Sequence, residues 1–215
     1  RQLAKSRSFT AIAVLTLAVG IGASTAMFSA LRALVVHPFD YPQSDRIVHV
    51  WSGGGWPLSP ADFHDLRDQN QSFQHFGAYE PYTINLGLEN AQAMPAVRAT
   101  PGVLPAFGVA PLRGRWIEDA DCVEGAAPVA VISHRIWQQS FGGDAGLLGR
   151  TIRINGADVT VVGIMPDGFE FASPWMRDQD CQVWLPRSFG ERERNQRDSH
   201  YLCGIARLRD GVDVT

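Results

Sequence analysis

The longest apolar run in the chain spans Phe9 to Val36, and from Ser8 to Leu31 it holds no Asp, Glu, Lys or Arg. Wound as an α-helix, the uncharged part extends roughly 36 Å, against about 30 Å for the hydrocarbon core of a bilayer. The pattern therefore predicts a transmembrane helix over residues 9–36. Arg1, Lys5 and Arg7 precede it, and only Arg32 and His37 follow closely. The positive-inside bias then assigns residues 1–8 to the cytoplasm and residues 37–215 to the far side of the membrane. A cleaved signal peptide would share the basic start and the small residues Ala23-Ser24-Thr25-Ala26, but its apolar core is about 7–15 residues, and here the pattern continues through Phe28, Leu31 and Val36. A helix buried in a soluble core rarely runs this far without a charge. Ala18, Gly22, Ala26 and Ala30 recur at every fourth position, a small-residue face that would let a second helix approach closely.

Beyond Val36 the pattern changes character. His37-Pro38-Phe39-Asp40-Tyr41-Pro42 ends the helix and makes a stiff extended exit. Arg46–Trp51 alternates like a half-buried strand, and the three glycines between Ser52 and Trp56 read as a turn. Ser59-Pro60 is a helix start, with the serine as cap and the proline in the first turn, and Phe63 and Leu66 give that helix an apolar side to about Asn70. Phe76–Tyr79 and Ala96–Ala99 read as strands around the weakly patterned Asn85–Ala93 stretch. A short helix is expected within Pro101–Phe107, closed by Gly108, followed by a turn at Pro111–Trp116 and an acidic loop at Glu118–Glu124. Val129–Ile132 is a wholly apolar strand leading into a helix over His134–Phe141, capped by Ser133. Thr151–Ile164 holds two alternating strands around Asn155-Gly156, the signature of a tight type I′ hairpin. Val183–Pro186 and Tyr201–Leu208 add strands, Glu191–Asp198 reads as a charged loop, and Asp210–Asp213 reads as a turn. Hairpins mixed with scattered helices favour an α+β class over a regularly alternating α/β sheet.

The candidate chemistry is thin. A net charge of −3 with no basic run argues against nucleic acid. Cys122, Cys181 and Cys203 are too few for a disulfide framework and lack zinc spacing. An oxidising location would permit one bridge with one thiol left over, while three separately buried thiols is the simpler reading. Gly143–Thr151 imitates a phosphate loop, but five residues lie between its outer glycines and Arg150 stands where a lysine is needed. Ser133, His64 and Asp62 could be nominated as a hydrolytic triad, yet Val131 and Arg135 occupy the positions where a nucleophile elbow has glycine. Glu118, Asp119, Asp121 and Glu124 could attract calcium, but Glu124 occupies the glycine position of an EF-hand loop. No catalytic, cofactor or metal residue is assigned. Trp51, Trp56, Trp116, Trp137, Trp175 and Trp184 fit core packing or a contact surface equally well.

The opening KSRSFTAIAVLTLAVGIGASTAMFSALRALVVHPFDYPQSDRIVHVW resembles the first membrane helix and exit strand of MacB and FtsX-like bacterial permeases, in particular the duplicated orphan permeases of acidobacteria. SPADFHDLRDQNQSF, FGAYEPYTINL, VAVISHRIWQQSFGGDAGLLGRTIRINGADVTVVGIMPDGFEF, VWLP and ARLRDGV are similar to the MacB-type periplasmic core domain, with LGRTIRINGADVTVVGIMP the most specific block. The resemblance implies a non-enzymatic permease of the inner membrane, its periplasmic α+β domain inserted between the first two membrane helices. It also implies a separate ABC ATPase, a homodimer or pseudo-dimer, a periplasmic or outer-membrane partner, and work in efflux or mechanotransmission. The missing initiator Met and the stop at Thr215 suggest a piece of a longer chain. The competing reading is a membrane-tethered sensor that binds a peptide or glycan through Trp56 and Trp175. A hydrolase using Ser133 and His64 comes third.

Overall fold

The computed structural model describes residues 7–31, 41–87, 92–176 and 180–212, with side chains before residue 41 described at 11, 12 and 14–28. It divides into two units, residues 1–40 and 41–215.

In the first unit, α1 covers Arg7–Leu31, 25 residues, about 38 Å at the α-helical rise. Its hydroxyls are folded back on its own backbone: Thr16, Ser24 and Thr25 donate to the carbonyls of Ile12, Gly20 and Ile21 at 2.8–2.9 Å. That arrangement hides them in an apolar medium. The described side chains are exposed on every side, Ile12, Leu15, Val19 and Phe28 among them. Ala18, Gly22 and Ala26 of the small-residue face are exposed as well, and the side chain of Ala30 lies outside the described residues.

The expected membrane span over Phe9–Val36 is not found in the structure: among the described residues no helix is long and apolar enough to cross a membrane. The apolar residues that were to complete the span, and the exit His37–Asp40, lie outside the described set, which resumes at Tyr41.

The second unit is built on β2 (Phe73–Leu86), a strand of 14 residues. Its first half pairs antiparallel with β9 (Cys203–Leu208) and its second half with β3 (Gln92–Ala99). From β3 the sheet continues through β8 (Val183–Pro186), β5 (Val129–Ile132) and β7 (Ala157–Ile164), with parallel pairing at β3–β8 and β5–β7. β6 (Thr151–Ile154) forms a hairpin with β7 and returns to β2 at Leu86↔Ile154. Six strands thus close into a ring. Its interior is apolar, with Ile84, Met94, Val183, Ile132, Val161 and Ile154 drawn from all six.

The turn that makes the closure is the expected one. Asn155 and Gly156 both have positive φ, 52° and 77°, as a type I′ turn demands. Asn155 does more than turn: its Oδ1 accepts from Asn85 N (2.8 Å) and its N–H donates to Asn85 O (2.9 Å), fastening the hairpin to β2.

Both strands run further than the expected Phe76–Tyr79 and Ala96–Ala99, and the added lengths contain Pro81 and Pro95. Pro81 lies past Tyr79↔Cys203, the last pair with β9. There the far side of the strand has no neighbour until Leu86, and a missing N–H is tolerated.

Outside the ring, β1 (Ile47–Val50) pairs with β9 and the two-residue β4 (Arg113–Gly114) pairs with β7, so these two strands are the sheet edges. Helix α2 (Pro60–Gln69) begins as expected, Ser59 Oγ accepting from Asp62 N at 3.1 Å. It packs Phe63 on Phe76, Phe189 and Leu202. α3 (Val103–Ala106) is a single turn, and α4 (His134–Phe141) is capped by Ser133 and stopped by left-handed Gly142. The expected Glu191–Asp198 loop instead contains one helical turn, α5 (Glu191–Arg194). Glu193 is anchored there by Arg187 and Tyr201, six and eight positions away on either side of the turn, contacts that helical periodicity does not register. The α+β expectation stands as a mixed α and β architecture.

Candidate functional site

The densest polar arrangement that hydrophobic patterning does not explain lies where the incoming segment, Tyr41–Ile47, meets the end of β9. Ile47 pairs with Arg207, so the segment arrives at the same end of the sheet from which Leu208–Asp210 departs. Arg207 is the centre. It is 4% exposed in a strand otherwise composed of Cys, Gly, Ile, Ala and Leu. Its guanidinium donates to Ala106 O (2.9 Å), Pro42 O (3.0 Å) and Gln43 O (3.4 Å), joining β9, α3 and the incoming chain. Burial, then repulsion from Arg46, pulls its pKa below the ordinary arginine value. It stays a cation held by carbonyl dipoles. Gly108 has φ +70°, and a Cβ there would come within 2.5 Å of Arg207 Nη2, so glycine leaves room for the clamp.

Arg46 forms the outer half of the junction. It donates to Leu208 O, to Gln43 Oε1 (2.8 Å) and to Asp210 Oδ1 (2.5 Å). Tyr41 completes it: its hydroxyl donates to Glu170 O and accepts from Ala172 N, while its ring packs on Phe107 and Phe169 at 5.1 and 6.2 Å. Burial raises the Tyr41 pKa, so the phenol is neutral. Sequence reasoning missed all three residues. The one signal that could have found them is an arginine in the middle of an apolar strand, CGIARL.

The nominated catalytic groups go elsewhere. Ser133 Oγ accepts from Ile136 N (3.1 Å) and donates to Gln182 Oε1. Asp62 faces Arg197 (3.3 Å) and His200 (3.8 Å). His64 sits edge-on to Phe189 at 5.1 Å, its pKa lowered by burial and then by Arg67. No hydrogen bond joins the three among the described residues. In the glycine-rich turn, Asp144 caps the short 3-10 turn Ala145–Leu147 and pairs with Arg150 (2.9 Å), so its charge is spent inside the loop.

The acidic stretch is a 3-10 turn, Asp119–Cys122, with reciprocal capping between Glu118 and Asp121. Arg115 grips Asp121 with both Nη atoms (2.6 and 2.9 Å), and that grip holds the Asp121 carboxyl below its usual range. No group of three or more potential metal ligands occurs among the described residues. The three cysteines are free, Cys122 half-buried and the other two buried. Burial pushes the Cys122 thiol up to about 11 and Cys203 up to about 12.

Two surface features remain. An open cleft of about 620 Å³ lies between the Pro101–Pro111 stretch and Gly114–Asp119. At the far end of β1 from Arg46, Trp51 and Trp175 stack at 5.9 Å, and Trp51, Trp56 and Trp175 are 37, 67 and 50% exposed.

Comparisons agree with this architecture. Residues 10–215 match the sequence family described as MacB-like periplasmic core domain. The fold resembles a domain of a Porphyromonas gingivalis protein described as a permease, at TM-score 0.58 and 19% identity over 81% of this chain and 80% of that one. It also resembles the periplasmic region of MacB from Actinobacillus actinomycetemcomitans, at TM-score 0.53 and 16% identity over 78% and 75% of the two chains. The extracellular domain of the noncanonic ABC-type transporter YknZ from Gram-positive bacteria matches at TM-score 0.51 and 13% identity, over 77% of this chain and 83% of that one. No protein of curated function matches the chain.

Proposed function

Because the chain belongs to the family of MacB-like periplasmic core domains, we propose that it is the extracytoplasmic module, with its membrane anchor, of an ABC-type permease that couples ATP hydrolysis by a separate cytoplasmic subunit to efflux or other work outside the membrane. The observation that carries the reading is the junction. Arg46 and Arg207 tie the incoming segment to the end of β9, the arrangement needed if a folded module is inserted between two membrane helices and must move with them. The uncharged sequence from Ser8 to Leu31 together with the apolar residues that follow it to Val36 would be the anchor, with residues 1–8 cytoplasmic and the second unit in the periplasm. Pro42, whose carbonyl is held by Arg207, limits bending where the second unit begins. A shift of α1 would then turn the second unit as a body, as rigid domain movements do in switching proteins. A homodimer or pseudo-dimer would bring two such modules together, with the small-residue face of α1 available for helix packing.

Two measurements test this. A cysteine introduced at exposed Gly53 should react with a membrane-impermeant maleimide in intact cells, and the chain should stay in membranes washed with alkaline carbonate. Cytosolic labelling, or release into the wash, overturns the assignment. With the partner ATPase present, Arg207→Met should lower transport while leaving ATP binding unchanged. Unaltered transport removes the junction from the mechanism.

The exposed Trp51, Trp56 and Trp175 favour a second reading, a tethered sensor that binds a peptide or glycan. The encoded chain beyond Thr215 separates the two: three further apolar helices mean a permease, and none means a receptor.

A further inference from the structure

We propose that the cleft beside β4 is a docking groove for an extended segment of a partner polypeptide in which lysine or arginine alternates with apolar side chains. The volume, about 620 Å³, falls within the roughly 300–1,000 Å³ usual for binding sites. One wall is made of Pro101, Pro105 and Pro111, rings with a fixed backbone angle that lose little freedom when a ligand arrives. Trp116 and Ile117 extend the apolar lining on the opposite side.

The cleft also borders a sheet edge. Among the described residues β4 has β7 on one side and no strand on the other. Leu112 N and Arg115 N are spent on Ile164 O and Val162 O at 2.8 and 2.9 Å. Gly114, paired with Gly163 just before the Arg115 bond, is the position whose backbone groups turn the other way in an antiparallel pair, here toward the open side, where an incoming extended chain can use them. A two-residue edge is too short to recruit a long strand by backbone bonding alone. Side-chain chemistry must therefore supply the selectivity.

That chemistry is acidic. Arg115 lines the cleft, but Asp121 takes both ends of its fork. His75 on the facing strand has its pKa lowered by burial and then by Arg207, so it adds no charge at neutral pH. Glu118 lies 3.7 Å from the already occupied Arg115, and among the described residues Asp119 has no ion-pair partner. Both carboxylates are exposed on the lining. The reciprocal capping between Glu118 and Asp121 holds this wall in shape before anything binds. A cation on the partner meets uncancelled negative charge, and an anion meets repulsion.

The test uses the 215-residue chain in phosphatidylcholine nanodiscs and two fluorescein-labelled pentapeptides, Leu-Lys-Leu-Lys-Leu and Leu-Glu-Leu-Glu-Leu. Binding is read by anisotropy against empty nanodiscs. The lysine peptide should bind about tenfold or more tighter than the glutamate peptide, with the preference shrinking as salt rises. Asp119→Asn should weaken the lysine peptide about three- to tenfold, and Asp119→Lys should shift preference toward the glutamate peptide, a change that a structural role for Asp119 would not produce. Ala110→Trp fills the cleft from an exposed position and should abolish binding with the circular dichroism spectrum unchanged. Equal binding of the two peptides, no binding of either, a lysine preference that survives Asp119→Lys, or wild-type affinity in Ala110→Trp would each overturn the proposal. None of these outcomes depends on whether the chain works in a permease.

Discussion

The closed ring and the junction are held by opposite means. The ring around Ile84, Ile132, Val161 and Ile154 has no titratable group among its buried residues. Its stability is set by packed apolar volume, which resists deformation because interiors are near close-packed. The junction is cemented by guanidinium-to-carbonyl bonds and one phenol, contacts that can break and re-form in another arrangement at modest net free energy. A module that must keep its shape while its attachment transmits movement needs both kinds.

The comparison fails first if the ring is not the stronger element. Ile132→Ala should lower unfolding free energy by about 2–5 kcal/mol, seen as a lower denaturant midpoint for the whole second unit. A smaller loss than that of the junction variant would reverse the ranking. Arg207→Met should cost about 1–3 kcal/mol, because the buried carbonyl of Ala106 and the partly buried carbonyl of Pro42 lose their donor. Hydrogen exchange should then accelerate first at residues 43–47 and leave the ring protected; uniform acceleration would mean the two regions are a single cooperative element. Asn155→Gly keeps the positive φ but deletes the bond to Asn85 N, so about 1 kcal/mol should be lost. Asn155→Ala should lose more, since alanine resists that backbone angle.

The smallest effect is with pH. His49 and His75, on the strands flanking β9, and His64 on α2 are all held below the ordinary value of 6.5, chiefly by burial. The unfolded chain therefore binds protons before the folded one does. The contribution is fully present above pH 6.5 and declines as the pH falls below it toward the folded values. Melting temperature should drop between pH 7.5 and 5.5, and His49→Gln should flatten part of that slope. A flat profile in the parent chain would mean that these rings are already solvated.

Much of the local structure was legible in the sequence. Ser59-Pro60 and Ser133 announced their helices, Val129–Ile132 its buried strand, and Asn155-Gly156 its hairpin, because caps, turns and periodicity act within a few residues. The resemblance carried by LGRTIRINGADVTVVGIMP pointed to the family. The full reach of β2 and β3 was not legible, since Asn85–Ala93 is weakly patterned and the pairing of the two strands up to Leu86↔Gln92 is set by each other. Nor was α5, which depends on Arg187 and Tyr201.

The sequence by itself determined the uncharged run from Ser8 to Leu31, the elements at caps and turns, and the absence of any familiar catalytic spacing. Only the tertiary structure decided that β6 returns to β2 and closes the ring, that Arg207 reaches back to Pro42 across 165 positions, and that Arg115 is spent on Asp121 and leaves Asp119 uncompensated. The reason is range. Periodicity and capping are properties of neighbouring residues, while a buried cation and its acceptors, or a strand and its far partner, are chosen by where the folded chain brings them.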